Sequence, residues 1–128
     1  TESRRKIKRE NPHIIDENGI DLGYVRTITT KQDRHPNSGI IVDQISTIAP
    51  ENKSDFRYLS PRECFLLMGF DESDFDKLIE NNFMVNNARY FFTSEKLIKM
   101  AGNSIVVDIL EEVFKQMLDI KKRLEENF

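Results

Sequence analysis

Apolar positions recur at intervals of three and four along the last quarter of the chain, at Val106, Ile109, Leu110, Val113, Met117, Ile120 and Leu124. That period is helical and predicts one amphipathic helix from Ser104 to about Glu126. Asp108, Glu111 and Glu112 precede Lys115, Lys121, Lys122 and Arg123, the order a helix dipole favours. Ile105, Val107 and Phe114 widen the apolar surface beyond a single stripe. So broad a face needs a cover, and the pattern predicts either an exposed apolar patch or self-association through this helix.

Three shorter helices precede it. Ser60 is an N-cap, Pro61 stands at the first helical position, and Glu63 completes a capping box. The helix runs from Pro61 to Met68, carries Cys64, Phe65, Leu67 and Met68, and ends at Gly69. Ser73 caps a second helix to Glu80, with Phe75, Leu78 and Ile79 on one face. The aromatic run 83–92 reads as a buried connector. Thr93 to Met100 forms a third helix closed by Gly102. Asn103 and Ser104 then cap the start of the long helix, so a corner of free backbone N–H groups suits an anion.

The front of the chain has the period of strands. Tyr24 to Thr30 alternates and is rich in β-branched residues, and Ser38 to Thr47 is of the same character. The polar stretch between them, with Asp33, Pro36, Asn37 and Gly39, makes a turn, so the two runs read as a β-hairpin or part of a small sheet. Residues 1–23 read as a loose arm with one short strand, and Glu51 to Asp55 as a polar linker. The fold class is α+β: a small β region followed by helices that end in a long amphipathic one.

Composition narrows the function classes. A chain of 128 residues with 38% hydrophobic and 32% charged positions can bury a modest core. The net charge of −3 does not by itself announce a nucleic-acid binder. Its distribution says more, because Arg4, Arg5, Lys6, Lys8 and Arg9 cluster at the start, and Lys31, Arg34 and His35 follow in the loop. A basic run beside a recognition loop can contact phosphates, although such runs are also ordinary solvated termini. The single cysteine cannot form an internal disulfide, which fits a reducing cytoplasm. No apolar run reaches membrane-spanning length. His13 and His35 lack neighbours at ligand spacing, so no metal site is expected, and neither histidine has the setting of a hydrolase triad.

Two segments carry a resemblance. Arg57-Tyr-Leu-Ser-Pro-Arg-Glu-Cys-Phe-Leu-Leu-Met-Gly-Phe70 resembles the ninth conserved block of the bacterial DNA cytosine-5 methyltransferases. Ala101-Gly-Asn-Ser-Ile-Val-Val107, followed by an amphipathic helix, is similar to the tenth. Arg26 to Ile41 is similar to the end of that family's target-recognition domain. The likeness spans roughly residues 24 to 118. It implies a division into 1–56, the end of the recognition domain; 57–102, a helical segment with the ninth block; and 103–128, the helix of the tenth block, which packs on a cofactor domain.

The resemblance further implies that Asn103, Ser104 and Ile105 line an S-adenosylmethionine pocket. It implies that Thr27 grips the backbone of double-stranded DNA, with Lys31, Gln32 and Arg34 near bases, a type of side chain suited to base edges. The family's nucleophile is a cysteine in a Pro-Cys dipeptide, and Cys64 follows Pro-Arg-Glu instead. No catalytic residue is therefore assigned, and the chain reads as the C-terminal part or smaller subunit of a methyltransferase of restriction-modification type. Its implied partners are DNA and the N-terminal catalytic part, in the cytoplasm. Two other readings stay open: a non-catalytic DNA-binding or regulatory module, and a structural helical interaction protein.

Overall fold

The computed structural model describes residues 1–32, 38–42, 55–86 and 88–126. A helix α1 (Glu2–Glu10) leads into a three-stranded sheet of β1 (His13–Ile15), β2 (Ile40–Val42) and β3 (Phe56–Tyr58). Helices α2 (Pro61–Leu67) and α3 (Glu72–Glu80) follow, then a two-stranded hairpin of β4 (Met84–Val85) and β5 (Arg89–Tyr90). Helices α4 (Ser94–Asn103) and α5 (Val107–Glu126) complete the described chain. The small-sheet-then-helix architecture is the α+β class expected, with one helix ahead of it.

Strand order is β1-β2-β3, with β1 parallel to β2 and β2 antiparallel to β3. All three residues of β2 are buried, as befits the middle strand of a covered sheet. The hairpin expected from 24–30 and 38–47 does not form among the described residues. Residues 24–30 lie outside any strand, and β2 finds its partners at 13–15 and 56–58 instead. Residues 43–47 of the second expected strand, and 51–54 of the linker, lie outside the described residues. Gly39 is what lets β1 close on β2: its φ is +121°, and an added Cβ would stand 2.7 Å from Ile14 Cγ1.

The core joins the sheet to the helices. Ile14, Ile28, Ile41 and Leu59 meet Cys64, Phe65 and Met68 of the α2 region, with Phe75, Leu97 and Ala101 completing the cluster. Phe65 is central, its ring 5.4 Å from those of both Phe70 and Phe75. The capping box of α2 is present as the sequence indicates: Ser60 N–H donates to Glu63 Oε2 at 2.7 Å, and Glu63 N–H donates to Ser60 Oγ at 3.2 Å. Arg57 adds a bidentate pair with Glu63 at 2.8 Å. Arg62 bridges to α3 through Glu72 and, at 2.6 Å, Asp76, and lies over the Phe75 ring.

Three further expectations are corrected. The first half of the loose arm is a helix, because residues 2–10 carry no strong breaker and end with Asn11 N–H and Nδ2 both donating to Ile7 O, while the short strand expected within 1–23 is present as β1. The second helix starts two residues earlier than expected, with Asp71 rather than Ser73 at the cap. The aromatic connector is exposed rather than buried, with Phe83 and Phe91 stacked at 4.9 Å on the surface beneath Lys96. Asn82 closes it, its amide exchanging two hydrogen bonds with the Phe92 backbone.

Candidate functional site

The corner between α4 and α5 is built differently from the sequence expectation. Thr93 caps α4 by accepting from Lys96 N–H, and α4 continues through Gly102 to Asn103. Asn103 therefore belongs to the last turn of α4, and Ser104 is its C-cap rather than the start of α5. Ser104 N–H and Oγ both donate to Ala101 O, at 3.0 and 2.8 Å. At the head of α5, Val107 N–H donates to Met68 O at 2.9 Å, which ties the end of α2 to that helix. Asn103 and Ser104 thus stand at the carbonyl end of α4, the negative pole of its dipole, rather than at the N–H start of α5, which begins at Val107.

Around this corner lies an open hollow of about 740 Å³, lined by Phe65, Phe70, Asp74, Leu78, Met100, Asn103 and Ser104. Helical spacing places these residues together. Phe70, Asp74 and Leu78 are four apart along the entry to and face of α3, and Met100 and Asn103 are three apart on α4. A carboxylate and a helix C-terminus over aromatic and aliphatic walls favour a ligand with a positive group and a flat apolar part. Asn103 and Ser104 line this hollow, whereas Ile105, which the resemblance groups with them, is not among the lining residues and is 63% exposed. Sequence reading missed Asp74 and Phe70, although their four-residue spacing was a usable signal.

Gly102 brings a second group of candidates to the same place. It lies against the backbone of the Thr29–Thr30 peptide, where an added Cβ would fall 2.5 Å from Thr29 C and 2.6 Å from Thr30 N. The segment 27–32 is therefore held directly on the end of α4. Its fold is local: Thr29 Oγ1 donates to Lys31 O at 2.8 Å, and Ser38 Oγ donates to Thr27 O at 3.0 Å. Thr27 and Lys31 are exposed. Gln32, expected to face outward near bases, is only 3% exposed. Its Nε2 donates to Ser38 Oγ at 2.9 Å and to Thr29 O at 3.3 Å. It stitches residue 29 to residue 38 across the neck of the loop instead of presenting its amide. Arg34 and His35 lie outside the described residues.

Cys64 is fully buried. Burial, then the neighbouring Glu63 carboxylate, pushes its thiol up to about 11 from 9.0, so it is an inert core residue. Among the described residues, no group of three His, Cys, Asp or Glu side chains could hold a metal, and no helix is long and apolar enough to cross a membrane. Helix α5 buries none of its residues. Ile109, Val113, Phe114, Met117, Leu118, Ile120 and Leu124 are all exposed, the uncovered apolar face that the sequence pattern predicts.

Comparison with known proteins gives a consistent answer. The family model of the C-5 cytosine-specific DNA methylases matches residues 2–119. The chain is 33% identical over 114 residues to the orphan methyltransferase M.SPBetaI of Bacillus phage SPbeta, covering 89% of this chain and 21% of that protein. The putative type II methyltransferase M.BsuMIIP of Bacillus subtilis (strain 168) matches with the same identity and coverage. The type II methyltransferase M2.ScrFI of Lactococcus lactis subsp. cremoris is 30% identical over 115 residues, or 90% of this chain and 27% of that protein. The chain thus spans about a fifth to a quarter of the length of these relatives. No solved structure matches significantly.

Proposed function

Because the chain belongs to the C-5 cytosine-specific DNA methylase family, we propose that it supplies the target-recognition and cofactor-closing end of an enzyme that methylates carbon 5 of cytosine in duplex DNA. The observation that carries this reading is the Gly102 contact, which seats the 27–32 segment on the helix end that lines the hollow. In this reading residues 1–56 serve recognition, 57–102 brace the assembly, and 103–128 present α5 to a cofactor domain. The type II names of two relatives support a restriction-modification setting.

The hollow fits S-adenosylmethionine by the chemistry of its donors. When bound, that cofactor supplies an electrophilic methyl group on a sulfonium. Asp74 and the carbonyl end of α4 favour the cofactor's positive groups, Asn103 offers an uncommitted side-chain amide to its polar end, and Phe65, Phe70 and Leu78 give a flat apolar part a dry wall. The attacking thiolate comes from residues outside these 128, since Cys64 is sealed in the core with its thiol protonated. Thr27 and Lys31 contact the DNA backbone and the base edges, and Arg34, by the resemblance, is a further base contact. Gln32 holds the loop's neck.

The test combines the chain with its catalytic portion and follows labelled methyl transfer from S-adenosylmethionine to DNA. Asn103→Ala is expected to raise KM for the cofactor about tenfold, the loss of about one charge-assisted hydrogen bond, with DNA affinity unchanged. Lys31→Ala is expected to do the reverse. Full activity of both variants, or methyl transfer by the chain alone, would overturn the assignment.

A further inference from the structure

We propose that α1 is a clamp for the phosphates of duplex DNA beside the target site, an inference that rests on the DNA-binding reading above and adds a contact surface to it. Nothing in the resemblance assigns this helix a role.

The helix concentrates charge. Arg4, Arg5, Lys6, Lys8 and Arg9 face only Glu2 and Glu10 within nine residues, in a chain whose net charge is −3. At about 100° per residue these cations sweep an arc of about 200°, and Ile7 is left on the opposite side. Arg4, Arg5, Lys6 and Arg9 are exposed, while Ile7 and Lys8 are half-buried. The wide basic arc with a single apolar residue lacks the broad apolar face by which a helix lies in a membrane surface. It suits a hydrated polyanion. Nine residues span about 13 Å, the length of about four phosphate steps along one DNA strand.

Position supplies the second argument. Helix α1 is not a free tail: Lys8 pairs with Asp55 ahead of β3, and His13 Nε2 lies 2.8 Å from Lys8 O. Directly after the helix, Pro12 O accepts from Ile40 N–H at 2.9 Å, and Gly39 packs on Ile14 and Pro12. Ser38 and Gly39 are where the chain returns from the loop whose neck Gln32 and Thr29 close. The basic arc and the Thr27–Gln32 segment are therefore anchored at one end of the same sheet, so DNA held by one passes the other.

The measurement is duplex-DNA affinity against salt concentration, by fluorescence anisotropy, for the full chain and for Arg4→Gln/Arg5→Gln/Lys6→Gln. These glutamines keep helix propensity, and circular dichroism checks the fold. Loss of three phosphate contacts should flatten the slope of log affinity against log salt by about 2.7. An equal slope in the two proteins, with the wild type binding duplex, overturns the clamp and leaves the DNA reading standing. If the wild type binds no duplex, both fall. Salt-sensitive binding to phosphatidylserine vesicles, carried by these three cations without an effect on duplex, also overturns the clamp. A single charge-restored variant, Arg5 alone returned to the triple, should recover about a third of the lost slope.

Discussion

At Gly102 a single hydrogen atom in place of a methyl group decides whether two functional segments can touch. The Thr29–Thr30 peptide is backbone, not the end of a side chain, so it cannot swing away from an added Cβ. Gly102→Ala should therefore cost about 1–3 kcal/mol of stability despite alanine's better helix propensity, measured by urea unfolding. It should also weaken DNA and cofactor binding together. Cys64 makes the opposite case, a reactive residue type made inert by its surroundings. With its thiol raised to about 11, only about one molecule in a thousand carries a thiolate at pH 8. Iodoacetamide should label it at the rate of unfolding, and rapid labelling of the folded chain would contradict the burial seen here. The residue-level reading of Gln32 was the weakest: glutamine in a polar loop reads as outward-facing, and only its bonds to Ser38 and Thr29, six and three residues away, turn it inward.

At the scale of elements, α2 shows how much one short helix depends on its first turn. Burial opposes the charge on Glu63, but the Arg57 guanidinium and the Ser60 N–H outweigh it and hold the carboxyl down at about 2 from 4.5. A folded-state value below the unfolded one means that the stabilisation is complete above pH 4.5 and is lost as pH falls toward 2. Glu63→Gln should remove that acid-sensitive component, giving a flatter stability curve between about pH 4.5 and pH 2, and Ser60→Ala should cost about 1 kcal/mol at pH 7. This helix was legible because Ser-Pro-Arg-Glu states its start locally. The β1–β2 pairing was not. A three-residue strand shows no period, and a parallel partner 25 or more positions away leaves no local mark. The run 24–30 misled for a related reason: β-branched residues fit extended backbone whether or not a neighbour pairs with it.

For the whole molecule, the contrast between its two ends governs behaviour in solution. The core gathers β1, β2, α2, α3 and α4, while α5 buries none of its residues and is tied to the end of α2 at its start, where Val107 N–H donates to Met68 O. The isolated chain should bind 1-anilinonaphthalene-8-sulfonate strongly, and Val113→Glu/Met117→Glu should reduce that fluorescence severalfold with little change in unfolding midpoint. A midpoint drop of more than about 1 kcal/mol equivalent would mean that the face is already covered. The general plan, β region then helices then one long uncovered helix, was readable because the 3.6-residue period persists over twenty residues. The lining of the hollow was readable in part: the resemblance singled out Asn103 and Ser104, and the four-residue spacing of Phe70 and Asp74 was a local signal, but only the fold brings the two pairs to one hollow.

The flush seating of the Thr29–Thr30 peptide on Gly102 also sets the terms on which this protein could change its DNA preference. An exposed side chain such as Lys31 just beyond the pivot is at liberty to vary, whereas Gln32 is tied to Thr29 and Ser38 and is not. An insertion upstream of it would shift every reading side chain relative to the methyl donor. Drift in specificity should therefore accumulate on one flank of that pivot, with the spacing on the other kept constant.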